Sequence, residues 1–325
     1  MRKLWSLIAV CVLLTGCAVP GDTEDANYPN RPIEMIIAYE AGGVTDSIAQ
    51  AFSRVISDHM PGDQPVVVRN IPGGAGVVGT TKAWQARPDG YTISMVPPGP
   101  LSVQPLYGNA PYQPEEFRAI IRLASNPIVF AVRSDAPWDT FEEWLEWTKK
   151  NPGEFSYASG ATGAPSQLAL EQLVLAENLR TSYVPFQSTG EAYAALLGGH
   201  VDGVSVSSQQ VKAGLAAGEV KILANLGTDR DIDYLHGVPS LTELGYDMAI
   251  DAYFGIVASA DIPDDRVTVL HDAFQATLND PDVNRILKNT GVLPDYAPAT
   301  TFQQQIMDDF AVYRETLTAL QLIHP

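Results

Sequence analysis

Short apolar runs alternate with amphipathic stretches along this chain, and turns rich in glycine and small polar residues separate them. The first run, Ile33-Glu34-Met35-Ile36-Ile37-Ala38-Tyr39, predicts a buried strand. Ser47 to Met60 predicts a helix. Between them lies Ala41-Gly42-Gly43-Val44-Thr45-Asp46. Paired glycines let a backbone bend tightly and approach a ligand closely. The helix start that follows leaves N–H groups unpaired and carries a partial positive charge. Strand, glycine turn and helix start therefore predict a carboxylate or phosphate site.

The same pattern recurs. Val66 to Val68 predicts a strand, followed by glycines from Gly73 to Gly79 and a helix from Thr80 to Gln85. Tyr91 to Val96 and Ile128 to Val132 predict further strands. Thr140 to Lys150 predicts a helix with Thr140 and Glu143 as a capping pair and Phe141, Trp144, Leu145 and Thr148 on one face. Lys149 and Lys150 suit its C-terminal end, and Asn151-Pro152-Gly153 stops it. This alternation predicts an α/β fold with mostly parallel sheets. Four strand–turn–helix corners stand out: Gly42 to Asp46, Gly73 to Gly76, Ser159 to Ser166, and Gln187 to Gly190 after Tyr183-Val184-Pro185-Phe186. Any α/β protein has glycine turns. Four in one chain predict a cleft beyond the strands' carboxyl ends, lined by backbone N–H groups and small hydroxyls.

The N-terminus changes the picture of location. Arg2 and Lys3 precede the apolar run Leu4 to Leu14, which is too short to span a membrane comfortably. Leu14-Thr15-Gly16-Cys17 resembles a bacterial lipobox, which predicts a signal peptide over 1–16 and a lipid on Cys17. An ordinary secretory signal or an anchor helix is the alternative. Residues 17–30 then read as a flexible tether, since Gly21 to Asn30 carries Asp22, Glu24, Asp25, Asn27, Pro29 and Asn30. Cys11 would leave with the signal, so the folded part would hold no disulfide and no thiolate nucleophile. The formal charge of −18 and the lack of a basic stripe exclude nucleic acid as a partner. An acidic surface also repels anionic headgroups, so any membrane attachment falls to the lipid.

Other motifs carry less. Gly74-Ala75-Gly76-Val77-Val78-Gly79 matches a dinucleotide fingerprint, which keeps an NAD(P)-dependent oxidoreductase as an alternative. However, Ile71-Pro72 intervenes after the strand, and Val96-Pro97-Pro98 stands where an acidic residue belongs. Close packing beside a cleft explains these glycines better. The five histidines have no metal-binding spacing, so no metal and no cofactor are expected. Ser205, Ser207 and Ser208 lack an activating partner and read as binding groups. The pairs Glu142/Glu143, Asp264/Asp265 and Asp308/Asp309 read as solvated charge. Asp46 reads as a helix cap, or as a cap that also faces the cleft and orders water or a ligand donor.

A resemblance gathers these pieces. Tyr28-Pro29-Asn30-Arg31-Pro32-Ile33 and Ala41 to Asp46 resemble the start of receptors of the tripartite tricarboxylate transporter family, also called Bug receptors. Further matches follow in the family's order: Pro72 to Gly76, Pro88 to Thr92, Asn151 to Gly153, Tyr157 to Gly160, Val184 to Phe186, Leu196 to Asp202, Pro239 to Leu241 and Phe254-Gly255. They cover essentially Arg31 to Leu322.

The resemblance implies a two-lobed periplasmic-binding-protein fold of type II. Residues 31–125 plus 252–325 would form lobe 1, and 126–251 lobe 2. The hinge would lie near Ser125-Asn126-Pro127 and Asp251-Ala252-Tyr253, and the helix Thr301 to Leu320 would pack on lobe 1. It implies a non-enzymatic, monomeric receptor that captures a small organic carboxylate and passes it to integral-membrane transporter subunits. An adaptor for a sensor kinase is another reading. Gly42, Gly43 and Thr45 would hold the carboxylate, with Asp46 and Gly74 beside them. Ser159, Gly160, Thr162, Gly163, Ser166 and Ser205 would close from lobe 2. Tyr39, Phe186 and Tyr253 would supply an apolar wall. The chain departs from the family's usual pattern at Glu40, at Gln167 (often histidine) and at Phe186-Gln187 (often Tyr-Lys).

Overall fold

The computed structural model describes residues 27–324 except 161, 187 and 228–231. The expected signal peptide, Cys17 and Gln187 lie outside the described residues. Among the described residues no helix is long and apolar enough to cross a membrane.

The first sheet begins with β1 (Ile33–Ile37), β2 (Val66–Asn70) and β3 (Thr92–Val96), separated by α1 (Val44–Val55) and α2 (Val77–Trp84). β1 pairs in parallel with both β2 and β3. The predicted helix from Ser47 starts three residues earlier, and its last turn tightens into a 3-10 helix over Ile56–His59. A short α3 (Gln104–Leu106) follows.

β4 (Phe117–Arg133) is a 17-residue strand that no single apolar run announced. Phe117 to Pro127 pair with β9 (Asp251–Ser259), and Ile128 to Val132 pair with β7 (Gly203–Ser207). The same strand thus belongs to two sheets. β10 (Leu293–Pro298) joins it in the first and β8 (Val220–Asn225) in the second. The second sheet is completed by β5 (Ser156–Ser159) and β6 (Ser182–Pro185), with β5 parallel to both β6 and β7. The wound strands are parallel as expected, whereas every pair made by β4 is antiparallel, so the whole is mixed.

Helices cover these sheets: α4 (Phe141–Lys150), α5 (Pro165–Ala176), α6 (Thr189–Leu197), α7 (Ser208–Ala217), α8 (Asp264–Leu278) and α9 (Pro281–Asn289). α4 forms as predicted. Thr140 Oγ1 accepts from the Glu143 N–H, and Phe141, Trp144 and Thr148 are buried.

The last helix, α10 (Ala299–Ala319), corrects one expectation. Its first half buries Phe302 and Ile306 against Ile36, Val96 and Tyr253 of the first sheet. Its second half buries Tyr313 and Leu317 among Phe130, Trp144 and Leu173 beside the second sheet. A 21-residue helix is about 30 Å long, enough to reach past one layer into the other. It therefore staples both lobes rather than packing on one. Asp309 on this helix is not solvated charge either. Burial and the facing Asp251 carboxylate push its carboxyl up to about 8.

Candidate functional site

The first glycine turn is braced from inside. Gly42 adopts φ +86°, a left-handed conformation that favours glycine. Its N–H donates to Asp46 Oδ2 at 2.8 Å. Asp46 Oδ1 accepts from Asn70 Nδ2 at 3.0 Å and from Gln50. Burial pushes the Asp46 carboxyl upward, but these donors outweigh it and hold it below the usual carboxylate range. Asp46 is thus an ionised brace, with one oxygen held by the turn and the other by Asn70 and Gln50. The first helical bond runs from Ser47 N–H to Gly43 C=O, so the N–H groups of Val44, Thr45 and Asp46 precede the helical ladder. The Gly42 N–H is taken by Asp46, so it is not free to meet a ligand.

The third corner repeats the device. Gly163 (φ +79°) donates its N–H to Gln167 Oε1 at 2.6 Å. The Tyr107 hydroxyl lies where a side chain at 163 would project. Tyr183 donates to the Gly160 C=O at 2.8 Å, and Ser205 donates to the Ser166 C=O. Pro165 stands at the first position of α5, where its missing N–H costs no helical bond.

A cavity of about 490 Å³ lies between these corners. Val44 at the start of α1 lines it, with Ala164, Pro165 and Ser166 at the start of α5. Thr189 opens α6, and Ser207, Gln209 and Gln210 open α7. Four helix N-termini thus meet at one cavity. Asn126 and Ala252, register partners where β4 and β9 cross between sheets, also line it. No described residue on its wall carries a charged side chain. The four N-termini bring positive partial charge to it, while the C-terminal end of α9 at Thr290 brings the opposite sign.

The structure brings only some expected residues to this cavity. Ser166 lines it, and Gly43 and Thr45 flank Val44 in the first corner. Ser159 and Ser205 are fully buried beneath the wall, and Thr162 is exposed beside it. Gly74 is exposed in a short 3-10 turn and does not line it. Tyr39 and Phe186 are half-buried against neighbouring cores. Tyr253 is corrected as a wall residue: it is fully buried, its ring 5.1 Å edge-on from Phe302. Within the dinucleotide-like motif Gly76 and Gly79 serve packing. A side chain at Gly79 would meet the Ile71 C=O at 2.6 Å and Ala38 Cα at 2.7 Å.

Sequence reasoning missed Asn126, Gln209, Gln210 and Thr290, which all line the cavity. The signal for two of them was present. Gly203 to Ser207 is a fifth apolar strand ending in small polar residues before a helix, and Gln209 and Gln210 open that helix.

Two sheets sharing a crossing strand, with helix N-termini gathered between them, define the class of two-lobed, periplasmic-binding-protein-like solute receptors. The matches to known proteins narrow this. Residues 52–322 match the model of the tripartite tricarboxylate transporter family receptor, and the chain belongs to that family. It is 30% identical over 304 residues to a UPF0065 protein from the gbd 5′ region of Cupriavidus necator, covering 92% of this chain and 90% of that one. It is 28% identical to protein BugT of Bordetella pertussis, covering 97% and 98% respectively. A solved TctC solute-binding protein from Polaromonas, without ligand, superposes with a TM-score of 0.85 at 31% identity, over 90% of this chain and 99% of that one. MatC of Rhodopseudomonas palustris, solved with bound malate, shares the fold at 23% identity and a TM-score of 0.67, over 89% of this chain and 100% of that one. The family is one of solute-binding receptors rather than enzymes.

Proposed function

We propose that the protein is a lipid-anchored receptor outside the cytoplasmic membrane that captures a small organic carboxylate and delivers it to a tripartite tricarboxylate-type transporter. The observation that carries this reading is the meeting of four helix N-termini at a cavity whose described wall has no charged side chain. Such a wall favours a carboxylate over an amine or a sugar. The N–H groups of Val44, Thr45 and Asp46 take one carboxylate oxygen, directly or through water. Ser166 and the α6 and α7 starts meet the ligand from the other side. The lobes are residues 31–125 plus 252–325 and residues 126–251, except that the second half of α10 rides on the latter. Closure turns about the β4–β9 crossing at Asn126 and Ala252 and presents a new surface to the membrane subunits. The family match supports a transporter partner, and two solved proteins that share the fold, both from Rhodopseudomonas palustris, are seen with malate and adipate. Cys17 carries the lipid, and the receptor works as a monomer.

The test is a thermal-shift screen of mono-, di- and tricarboxylates against amines, sugars and nicotinamide dinucleotides. At least one carboxylate stabilises the protein by several degrees at a hundredfold excess over its Kd, equivalent to about 2.7 kcal/mol. Stabilisation by amines or sugars alone would sink the ligand class. Stabilisation by a dinucleotide would restore the oxidoreductase reading.

A further inference from the structure

We propose that Lys212 and Lys288 form a cationic mouth beside the cavity that draws an incoming carboxylate toward the helix N-termini. This rests on the carboxylate reading above.

A second groove, of about 320 Å³, runs between α7 on one side and α9 with β10 on the other. It adjoins the cavity directly. Gln209 lines both, and the chain passes from groove (Lys288) to cavity (Thr290) and back to groove (Gly291). Gly291 lets the two sides close up, because the Gln209 side chain fills the space a Cβ there would need. Lys212 comes from α7, which packs on the second sheet, and Lys288 from the last turn of α9, which packs on α1 and β10. The groove therefore straddles the two lobes.

Both lysines are exposed, and neither forms an ion pair with a described residue. By contrast Lys149, Lys150 and Lys221 are each paired with a carboxylate. The Lys212 ammonium sits 5.0 Å from the centroid of the Tyr234 ring, which holds it over the groove. Among the described residues Asp233 is the opposing charge on this wall.

The rest of the molecule makes two free lysines matter. With a net charge of −18, the surface as a whole repels an approaching carboxylate. The described cavity wall has no cationic side chain to offset this, and helix ends act over only about one turn. Charges at the mouth act over roughly a Debye length, about 10 Å at moderate salt. Lys212 and Lys288 therefore supply the attraction at the distance where the cavity supplies none.

The experiment is stopped-flow association with malate and adipate at low and high ionic strength, comparing wild type with the double variant Lys212→Gln/Lys288→Gln and with Asp233→Asn. The double variant associates about tenfold more slowly at low salt, and the difference disappears near 0.5 M salt. Asp233→Asn associates faster at low salt. An unchanged rate and unchanged salt dependence in the double variant, with wild type binding normally, would overturn the mouth while leaving the receptor reading intact. If wild type binds neither these nor any other carboxylate, both fall together. Matching melting temperatures would show that the variants fold.

Discussion

The backbone N–H of Gly163 donates to the side-chain Oε1 of Gln167, four residues further on, at 2.6 Å. Across the cavity the Gly42 N–H donates to Asp46, also four residues on, at 2.8 Å. In both corners a polar side chain from the first helical turn locks the glycine that bends the chain. The donors nearest each bend are consumed in shaping it, and the next N–H groups along each helix precede its hydrogen-bond ladder. Removing Gln167 Oε1 would strand a buried donor. Gln167→Leu is expected to destabilise the protein by about 1–3 kcal/mol and to weaken carboxylate binding. Urea unfolding and titration calorimetry read the two effects. Unchanged stability would contradict the bracing role.

Gly43 offers a cleaner probe of the first corner. It has an ordinary φ of −75°, and a side chain there would meet nothing closer than the Glu40 C=O at 3.6 Å. Gly43→Val is expected to keep the fold and to lose binding at least tenfold, because the branched side chain crowds the N–H groups of the first helical turn beside it. Full affinity with normal melting would remove this corner from the site.

Gly79 tests the dinucleotide-like motif. A Cβ there would collide with the backbone of Ile71 and Ala38, which cannot yield as a flexible side chain can. Gly79→Ala is expected to cost about 1–3 kcal/mol of stability through overpacking. A stable variant would contradict the packing role.

Much of this was legible from local pattern. The β1–α1 corner, α4 with its Thr140 cap and the β5–α5 corner each depend on residues a few positions apart. The remainder depends on contacts between distant segments. Ile128 to Val132 reads as a self-contained strand, yet it is the end of a 17-residue one, because the distant β9 returns to pair with Phe117 to Pro127 at its beginning. Asn126 reaches the cavity for the same reason. Tyr253 looked free to form a wall, but α10 brings Phe302 against it. Periodicity finds which face of an element is apolar; it does not say which partner covers that face.

Asp309 gives the account a pH dependence. Its carboxyl is raised from 3.8 to about 8 by burial and by Asp251, with Asp308 adding to the shift and Arg122 opposing it. The folded state therefore holds this proton more tightly than the unfolded chain does. The stability it contributes is full below about pH 4 and is lost as pH rises through about 8. Asp309→Asn, which cannot ionise, is expected to stabilise the protein clearly at about pH 8.5 and little at about pH 4. Urea midpoints at the two values check this. A gain that does not depend on pH would contradict it.

The most direct test of the central claim is a crystal structure with the carboxylate that stabilises the protein most in the thermal screen. Its carboxylate is expected within hydrogen-bonding distance of the N–H groups of Val44, Thr45 or Asp46, directly or through one water, with Ser166 facing it. The contrary result is a carboxylate seated elsewhere, for example in the roughly 550 Å³ groove between Phe117 and Met307, with the four helix N-termini empty.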